Sequence, residues 1–217
     1  MSNSSSFDFN EFIRESKETL LNPKSYFAGM KTSGGMVEPL IKAVLYGAIA
    51  GVIAFLWSVI GIGSVTGSAL GGALGAMALV WYIVGAVIGL FIGAVILLII
   101  SSVCKGSTDF ETNARVTASV MVIMPISALL SFTMGINLYL GLIINLAVNL
   151  FTLWLLYNGL VESLKARPDT SRIVMFILAG LLVLFMLIGL GTKSRVEKYL
   201  DSYDRDHKEM IKDLDND

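Results

Sequence analysis

Residues 43–104 read AVLYGAIAGVIAFLWSVIGIGSVTGSALGGALGAMALVWYIVGAVIGLFIGAVILLIISSVC and contain no Lys, Arg, Asp, Glu or His. Two further uncharged stretches lie downstream, at residues 116–161 and 173–192. Each of the three is at least as long as one bilayer crossing, which takes about 20 mostly apolar residues. A water-soluble fold does not remove charge over such lengths because it must face water. Lipid is therefore the solvent for most of this chain.

The composition of the whole chain agrees with a membrane protein. Of its 217 residues, 55% are hydrophobic and only 15% are charged, whereas soluble domains carry about a quarter charged residues. The net charge of −1 says little, because the charges are segregated at the ends of the apolar stretches. Cys104 is the only cysteine, which excludes an internal disulfide. It is interpreted as a lone thiol, with lipidation at the membrane edge as the alternative.

We predict an all-α fold, an integral membrane bundle of five transmembrane helices with an amphipathic N-terminal helix and short polar tails. The predicted domains are a cytoplasmic N-terminal tail (residues 1–38), a five-helix transmembrane domain (residues 39–191) and a charged C-terminal tail (residues 192–217). The predicted spans are approximately residues 40–62, 77–103, 116–134, 138–161 and 173–190.

The N-terminal tail contains a pattern typical of an amphipathic helix over residues 7–21. The predicted apolar face consists of Phe9, Phe12, Ile13, Ser16 and Leu20, with charged residues on the opposite face. Two placements remain open for this helix, the lipid headgroup layer or a cytoplasmic loop of the bundle. Residues 33–35, Ser-Gly-Gly, are predicted to form a flexible joint before the first span.

Basic residues decide between five spans and six, because Lys and Arg of short loops collect on the cytoplasmic side. With five spans and the N-terminus inside, the inner segments hold Lys24, Lys31, Lys42, Lys105, Arg115, Lys165, Arg167 and Arg172. The two outer connections then hold no Lys or Arg. With six spans both basic loops would lie outside, so we predict five, with the C-terminus outside. The Gly-rich segment 61–76 is then a loop, a hairpin or a helix extension on the outer side.

Small residues recur four positions apart in the predicted spans. The candidate helix-packing face consists of Gly47, Gly51, Gly85, Gly89 and Gly93. This spacing places glycines in one groove of a helix, where two backbones can approach closely. Packing within the bundle is the favoured interpretation, and a dimer interface is the alternative.

A few polar residues and one proline interrupt the apolar spans. Asn145 and Asn149 lie four residues apart on the fourth span, Thr152 follows near the same face, and Pro125 lies in the middle of the third span. Amides in hydrocarbon need hydrogen-bond partners, so these residues are candidates for interhelical contacts or for the lining of a polar path. Pro125 removes one intrahelical hydrogen bond and should kink its helix.

The sequence contains no catalytic motif and no cofactor or metal motif. His207 is the only histidine and lies in the polar tail, and the predicted spans hold no acidic residue. Zinc hydrolases need convergent His and acidic ligands, and ion-coupled transport usually uses buried ionisable groups. We therefore predict a protein that is not an enzyme and binds no cofactor. An enzyme working from a loop through Asp109 or Glu111 is the least favoured alternative.

Several short motifs follow one another in an order known from a protein family. They are LNPKSYF (residues 21–27), GGMVEPL (residues 34–40) and then Gly106, Phe110, Pro125, Trp154 and Gly159. In this order and spacing the chain resembles the Yip domain family (Ypt-interacting proteins), especially its shorter, prokaryotic-type members, over about residues 21–190. The resemblance implies a five-helix membrane protein with a cytoplasmic N-terminus and no catalytic residues.

The family resemblance and the residue patterns together define the expected function. Eukaryotic members of the family act at Golgi and endoplasmic reticulum membranes and bind prenylated Rab-type GTPases and one another. A small GTPase is implied as a partner here only by that analogy. We expect a non-enzymatic scaffold or adaptor in membrane organisation or trafficking, or else uncoupled translocation of a lipid or neutral solute. The expected partners are membrane lipids and a second copy or other membrane proteins, not nucleic acid, in a prokaryotic cytoplasmic membrane.

Overall fold

A computed structural model describes residues 8–60 and 71–188, and all regular structure within these ranges is helical. The helices are α1 Phe9–Leu21, α2 Pro23–Gly29, α3 Val37–Ile60, α4 Gly71–Val103, α5 Phe110–Val120, α6 Ile123–Leu130, α7 Thr133–Ile136, α8 Leu138–Asn158 and α9 Pro168–Ile188. A π-helical turn, Gly159–Ser163, prolongs α8. The chain through Leu178 forms one compact unit, and residues 179–188 complete α9 within a second unit. The all-α prediction is confirmed.

Five helical stretches in the described ranges are long and apolar enough to cross a membrane. They are Val37–Ile60, Leu79–Val103, Phe110–Ile136, Leu138–Ser163 and Pro168–Ile188, with mean hydropathies between 1.9 and 3.1. The five-span architecture predicted from the charge gaps is confirmed, and the chain is a multi-pass integral membrane protein. The first, third and fifth helices begin several residues before the predicted spans, because the charged residues ahead of each apolar stretch are themselves helical.

The Gly-rich segment 61–76 is described from Gly71 onwards. Residues 71–76 belong to the first turns of α4, so this part of the segment extends the second spanning helix. Residues 61–70 lie outside the described residues, as does the predicted charged tail, residues 192–217.

The third span is divided into three helical pieces, α5, α6 and α7. Pro125 lies in the first turn of α6 and has no N–H to offer the carbonyl of Met121, four residues earlier. That carbonyl instead accepts a hydrogen bond from the backbone N–H of Met124 at 2.9 Å, which tightens the chain at residues 121–122. The interruption therefore occurs one turn before the proline, where the helical hydrogen bond is missing.

Helix α1 has defined signals at both ends. The Asp8 carboxylate accepts hydrogen bonds from the backbone N–H groups of Asn10 at 2.8 Å and Glu11 at 3.4 Å, as expected of an N-cap. The helix ends at Leu21 with Asn22 as its C-cap, and Pro23 becomes the first residue of α2, where its missing N–H is tolerated.

The buried face of α1 differs from the apolar face predicted from its sequence. Phe12 and Thr19 are buried, whereas Phe9 and Ile13 are exposed. The helix packs on α2 and α5, and polar residues take part in these contacts. The predicted helix is therefore present, and an ion pair and a hydrogen bond, Glu15–Lys42 and Ser16–Tyr46, hold it to the bundle together with the Phe12 contact.

The core of the larger unit lies where α2, α5 and the π-helical turn meet. Phe27 of α2, Val116 of α5 and Leu160 and Leu164 near the end of α8 are fully buried. The Ser163 hydroxyl donates a 2.7 Å hydrogen bond to the Phe27 carbonyl. Helix α2 is thereby fixed to the charged end of the bundle, where the loops that carry Lys and Arg also lie.

Candidate functional site

Five charged side chains meet at one end of the bundle and form what we call the charged cluster: Glu15, Glu38, Lys42, Glu111 and Arg115. Lys42 Nζ lies 2.7 Å from Glu15 Oε2 and 2.9 Å from Glu38 Oε1. Arg115 Nη1 lies 2.7 Å from Glu38 Oε2, and Arg115 Nε lies 3.0 Å from Glu111 Oε1. Both cations are buried, and buried charges persist only when they are paired. The cluster joins α1, α3 and α5, with Glu38 at its centre.

The loop that precedes α3 is held by the same cluster. Gly34 and Gly35 have φ angles of 136° and 90°, which glycine adopts far more readily than other residues. Arg115 Nη2 donates to the Gly35 carbonyl at 2.9 Å, and the Gly35 N–H donates to Glu111 Oε1 at 2.6 Å. The predicted flexible joint is therefore a turn that is hydrogen-bonded on both sides of Gly35.

Replacing Gly35 with alanine is expected to destabilise this end of the bundle by about 1–3 kcal/mol, the usual cost of a residue held in a sparsely populated backbone region. The thermal unfolding midpoint in mild detergent would measure the effect. Gly29→Ala is the matched control, because a Cβ at Gly29 would meet nothing within 4 Å and its φ is not left-handed. Equal midpoints for the two variants would contradict a required turn at Gly35.

Hydroxyl groups extend the polar network from the cluster into the protein. Ser16 on α1 and Tyr46 on α3 share a hydrogen bond of 2.7 Å, and Tyr26 on α2 and Ser119 on α5 share a buried one of 2.9 Å. Burial raises the pKa of the Tyr26 phenol, and the positive charge of Lys42 acts in the opposite direction. Tyr26 is thus a neutral hydrogen-bonding group that ties α2 to the third span.

A groove of about 740 Å³ lies beside the cluster, between α1, α2 and the start of α3. Its charged lining residues are Asp8, Glu11, Arg14, Glu15, Glu18, Lys31, Glu38 and Lys42. The lining holds five carboxylates and three cations, and the ion pairs of Lys42 and Arg14 are made with carboxylates of the same lining, so the excess is two negative charges. The groove therefore presents a negatively charged surface that could accept a basic polypeptide segment.

The predicted polar residues of the fourth span lie on α8, away from the charged cluster. Asn149 Nδ2 donates to the Asn145 carbonyl at 2.8 Å and to Asn145 Oδ1 at 2.9 Å. Asn145 is exposed and Asn149 is half-buried. The Thr152 hydroxyl donates to the Val148 carbonyl of its own helix at 2.9 Å. Among the described residues, no hydrogen bond links this group to Pro125 or the rest of α6.

The glycines of the predicted packing face fall into two groups. Gly47 and Gly51 lie against α4, since a Cβ at Gly47 would come within 2.7 Å of Ala86 Cβ and one at Gly51 within 3.1 Å of Tyr82 Cβ. A Cβ at Gly93 would come within 2.8 Å of Thr117 Cγ2 on α5, whereas Cβ atoms at Gly85 and Gly89 would meet nothing within 4 Å. Gly47, Gly51 and Gly93 thus permit close packing inside the bundle, and the other two lie on its open surface.

The two residues named for loop-based catalysis have structural contacts. The Asp109 carboxylate caps α5, accepting from the Thr112 hydroxyl at 2.6 Å and from the Thr112 N–H at 2.8 Å. These hydrogen bonds lower the pKa of Asp109. Glu111 is paired with Arg115 in the charged cluster. Asp109 thus caps the start of the third span, and Glu111 is held by its contact with Arg115 in the same turn.

The described residues contain no group of three or more His, Cys, Asp and Glu side chains that could hold a metal ion. Cys104 is fully buried just after the end of α4. Its backbone carbonyl accepts a hydrogen bond from the Arg167 N–H at 2.9 Å. A sulfur in this position is not accessible for lipid attachment, which disfavours the lipidation alternative.

The charged cluster was not predicted from the sequence, because Lys42 and Arg115 were interpreted only as cytoplasmic charges at the ends of uncharged stretches. The structure places both inside spanning helices, with buried side chains. A signal for this was present: Glu38 and Lys42 are four residues apart, as are Glu111 and Arg115. This spacing places opposite charges on one helical face, where they can pair.

Comparison with known proteins identifies the family of this chain. The family model of the Yip1 domain matches residues 17–190. This range includes both basic members of the charged cluster and all five spans. No curated protein and no solved structure matches the chain significantly. The match covers most of the sequence, and its five-span architecture is the one observed. The chain therefore belongs to the Yip1 domain family.

Proposed function

We propose that this protein is a non-enzymatic membrane adaptor that binds other membrane proteins, or a second copy of itself, through the face of α8 that carries Asn145 and Asn149. The observation that carries the proposal is the exposure of Asn145 within the apolar fourth span, about two helical turns from its start. An amide facing hydrocarbon without a partner is costly. A helix of another protein with a polar group at the same depth would supply the missing hydrogen bonds.

The depth of the two amides follows from helix geometry. Asn145 lies seven residues after Leu138, the first residue of the span, and Asn149 lies eleven residues after it. At a rise of about 1.5 Å per residue, these positions are roughly 10 Å and 16 Å along the helix. The hydrocarbon core is about 30 Å thick, so both amides lie well inside it.

The hydrogen-bonding capacity of the pair is only partly used. Asn149 Nδ2 donates to Asn145, but Asn145 Nδ2 donates no hydrogen bond to any described residue. The Asn145 Nδ2 donor and the Asn149 Oδ1 acceptor therefore remain available on the same face of α8. Each interhelical hydrogen bond of this kind contributes roughly 0.6–2 kcal/mol, enough to bias association of helices already confined to one membrane.

The groove at the charged end supplies a second surface for the adaptor role. Its excess of carboxylates suits a basic segment of a partner, and the ion pair between Glu15 and Lys42 joins two of its walls, α1 and α3. With the N-terminus inside, as the distribution of Lys and Arg favours, the groove would open to the cytoplasm of a prokaryotic cell. Small GTPases enter as candidate partners only by analogy with other members of the family.

Replacing both Asn145 and Asn149 with leucine is expected to abolish or strongly reduce crosslinked species in native membranes, because the partner loses its hydrogen bonds in hydrocarbon. Cysteine-independent crosslinking followed by mass spectrometry would identify those species. Thr152→Val is the matched control, since that hydroxyl bonds within its own helix. A wild-type protein that is monomeric and captures no partner would contradict the adaptor function.

Uncoupled passage of a lipid or neutral solute is the second candidate function, favoured by the same exposed polar face. A lipid headgroup could move along Asn145 and Asn149 on the outside of α8. Flux across vesicles containing the purified protein would test this function. Flux that persists unchanged in the Asn149→Leu variant would exclude this path, and flux without crosslinked partners would favour translocation over the adaptor.

A further inference from the structure

We propose that α1 binds the bilayer surface directly, with Phe9, Ile13 and Leu20 as an apolar strip inserted between lipid headgroups. Phe9 is 55% exposed and Ile13 is 50% exposed, and Leu20 is half-buried, with part of its side chain packed against the hydrophobic core. At about 100° per residue, the three side chains lie within roughly 40° of one another around the helix axis. They lie along one side of α1, two near its start and one near its end.

The contacts of α1 place it at the edge of the hydrocarbon layer. Glu15 pairs with Lys42 at 2.7 Å, and Ser16 bonds to Tyr46 at 2.7 Å. The ring of Phe12 packs on the Tyr46 ring with centroids 4.9 Å apart. Lys42 and Tyr46 belong to the first turns of α3, about 8 Å and 14 Å along this spanning helix. Helices that lie in the interface are buried about 5–10 Å into the boundary between headgroups and acyl chains.

The rotation of α1 then determines which of its faces meets lipid. The face that carries Phe12 and Thr19 is buried against the bundle. The flank on one side of it is charged, and Glu11 and Glu18 on that flank line the groove. The flank on the other side is the apolar strip. The face of Phe12 and Thr19 fixes the rotation of α1 against the bundle. The charged flank on one side of this face then lies in water, and the apolar flank on the other side lies in the membrane.

The strip is also continuous with the part of the protein that crosses the bilayer. The Phe9 ring lies 6.0 Å from the Phe12 ring, which in turn packs on Tyr46 of the first span. Aromatic contacts thus lead from the strip directly into the bundle. Because α1 carries more acidic than basic residues, the attraction is apolar and does not require anionic lipid. The partner that the apolar strip binds is therefore the surface of a bilayer, and neutral lipid is sufficient.

Spin labels on single cysteines test this proposal in the intact protein reconstituted into phosphatidylcholine nanodiscs. The variants are Ile13→Cys on the strip and Glu11→Cys on the charged flank, both in a Cys104→Ala background. We expect the label at position 13 to be more accessible to oxygen than to a water-soluble nickel chelate, and the label at position 11 to show the reverse. Adding anionic lipid or salt should leave the order unchanged.

Two outcomes would overturn membrane binding by α1. Nickel accessibility at position 13 as high as that at the water-exposed position 11 would show that the strip faces water. Strong spin–spin broadening at position 13 would show that a second copy covers it instead. If Cys104→Ala fails to fold, the native background serves equally well, because Cys104 is fully buried and does not react with the label in the folded protein.

Discussion

Replacing Arg115 with methionine is expected to lower the free energy of unfolding by about 3–5 kcal/mol, the range seen when one partner of a buried ion pair is removed. Arg115 binds Glu38, Glu111 and the Gly35 carbonyl, and its side chain is only 4% exposed. Methionine fills a similar volume but leaves Glu111 without a cation and Glu38 with Lys42 alone. Denaturant titration in mixed detergent micelles would measure the change.

Arg14→Met is the matched control for the Arg115 variant. Arg14 also has two ion pairs, with Glu11 at 3.3 Å and Glu18 at 3.9 Å, but its side chain is 64% exposed. Exposed pairs of this kind contribute about 0–1 kcal/mol. The loss of stability in Arg115→Lys should fall between those of the two methionine variants. Lysine keeps the positive charge but lacks the planar guanidinium, which donates hydrogen bonds to several partners at once. Similar decreases in the free energy of unfolding for the Arg14 and Arg115 variants would contradict a structural role for the charged cluster.

Replacing Gly47 with leucine is expected to destabilise the bundle by about 3 kcal/mol, at the upper end of the range for overpacked sites. Even a Cβ at this position would lie 2.9 Å from the backbone carbonyl of Tyr82 and 2.7 Å from Ala86 Cβ. The backbone of α4 cannot rotate away as a flexible side chain could, so the two helices must separate. The midpoint of unfolding in the same micelles would report the loss.

Gly89→Leu tests whether the effect at Gly47 comes from packing. Both glycines lie inside apolar helices, but a Cβ at Gly89 would meet nothing within 4 Å. Leucine has a higher helix propensity than glycine, by up to about 1 kcal/mol, so this variant should be as stable as the wild type or slightly more stable. A loss at Gly89 comparable to that at Gly47 would place the close α3–α4 contact in doubt.

The five-span fold could be predicted from the sequence because membranes impose a strong constraint on composition. The uncharged stretches at residues 43–104, 116–161 and 173–192 have lengths that only lipid explains. The ends of the helices were harder to place. Glu38 and Glu111 are charged yet lie in the first turns of α3 and α5, because an acidic residue near a helix N-terminus is stabilised by the helix dipole.

The charged cluster could be only partly foreseen. The pairs Glu38–Lys42 and Glu111–Arg115 are local and follow from their spacing. The contact between Glu38 and Arg115 joins residues 77 positions apart, and Glu15 reaches Lys42 only through the fold of α1 and α2. Likewise, the sequence could place Asn145 and Asn149 on one face of α8 but could not tell whether that face points into the bundle or out of it.

The order of the cluster along the chain bears on how the protein is made. Both carboxylates that bind Lys42, those of Glu15 and Glu38, precede it, and the groups that bind Arg115 likewise precede it. As the ribosome elongates the chain, each cation therefore emerges when its counter-charges have already been synthesised. Lys42 can pair with Glu38 as soon as the first turns of α3 are helical, whereas the contact between Glu38 and Arg115 must wait until the third span has been synthesised.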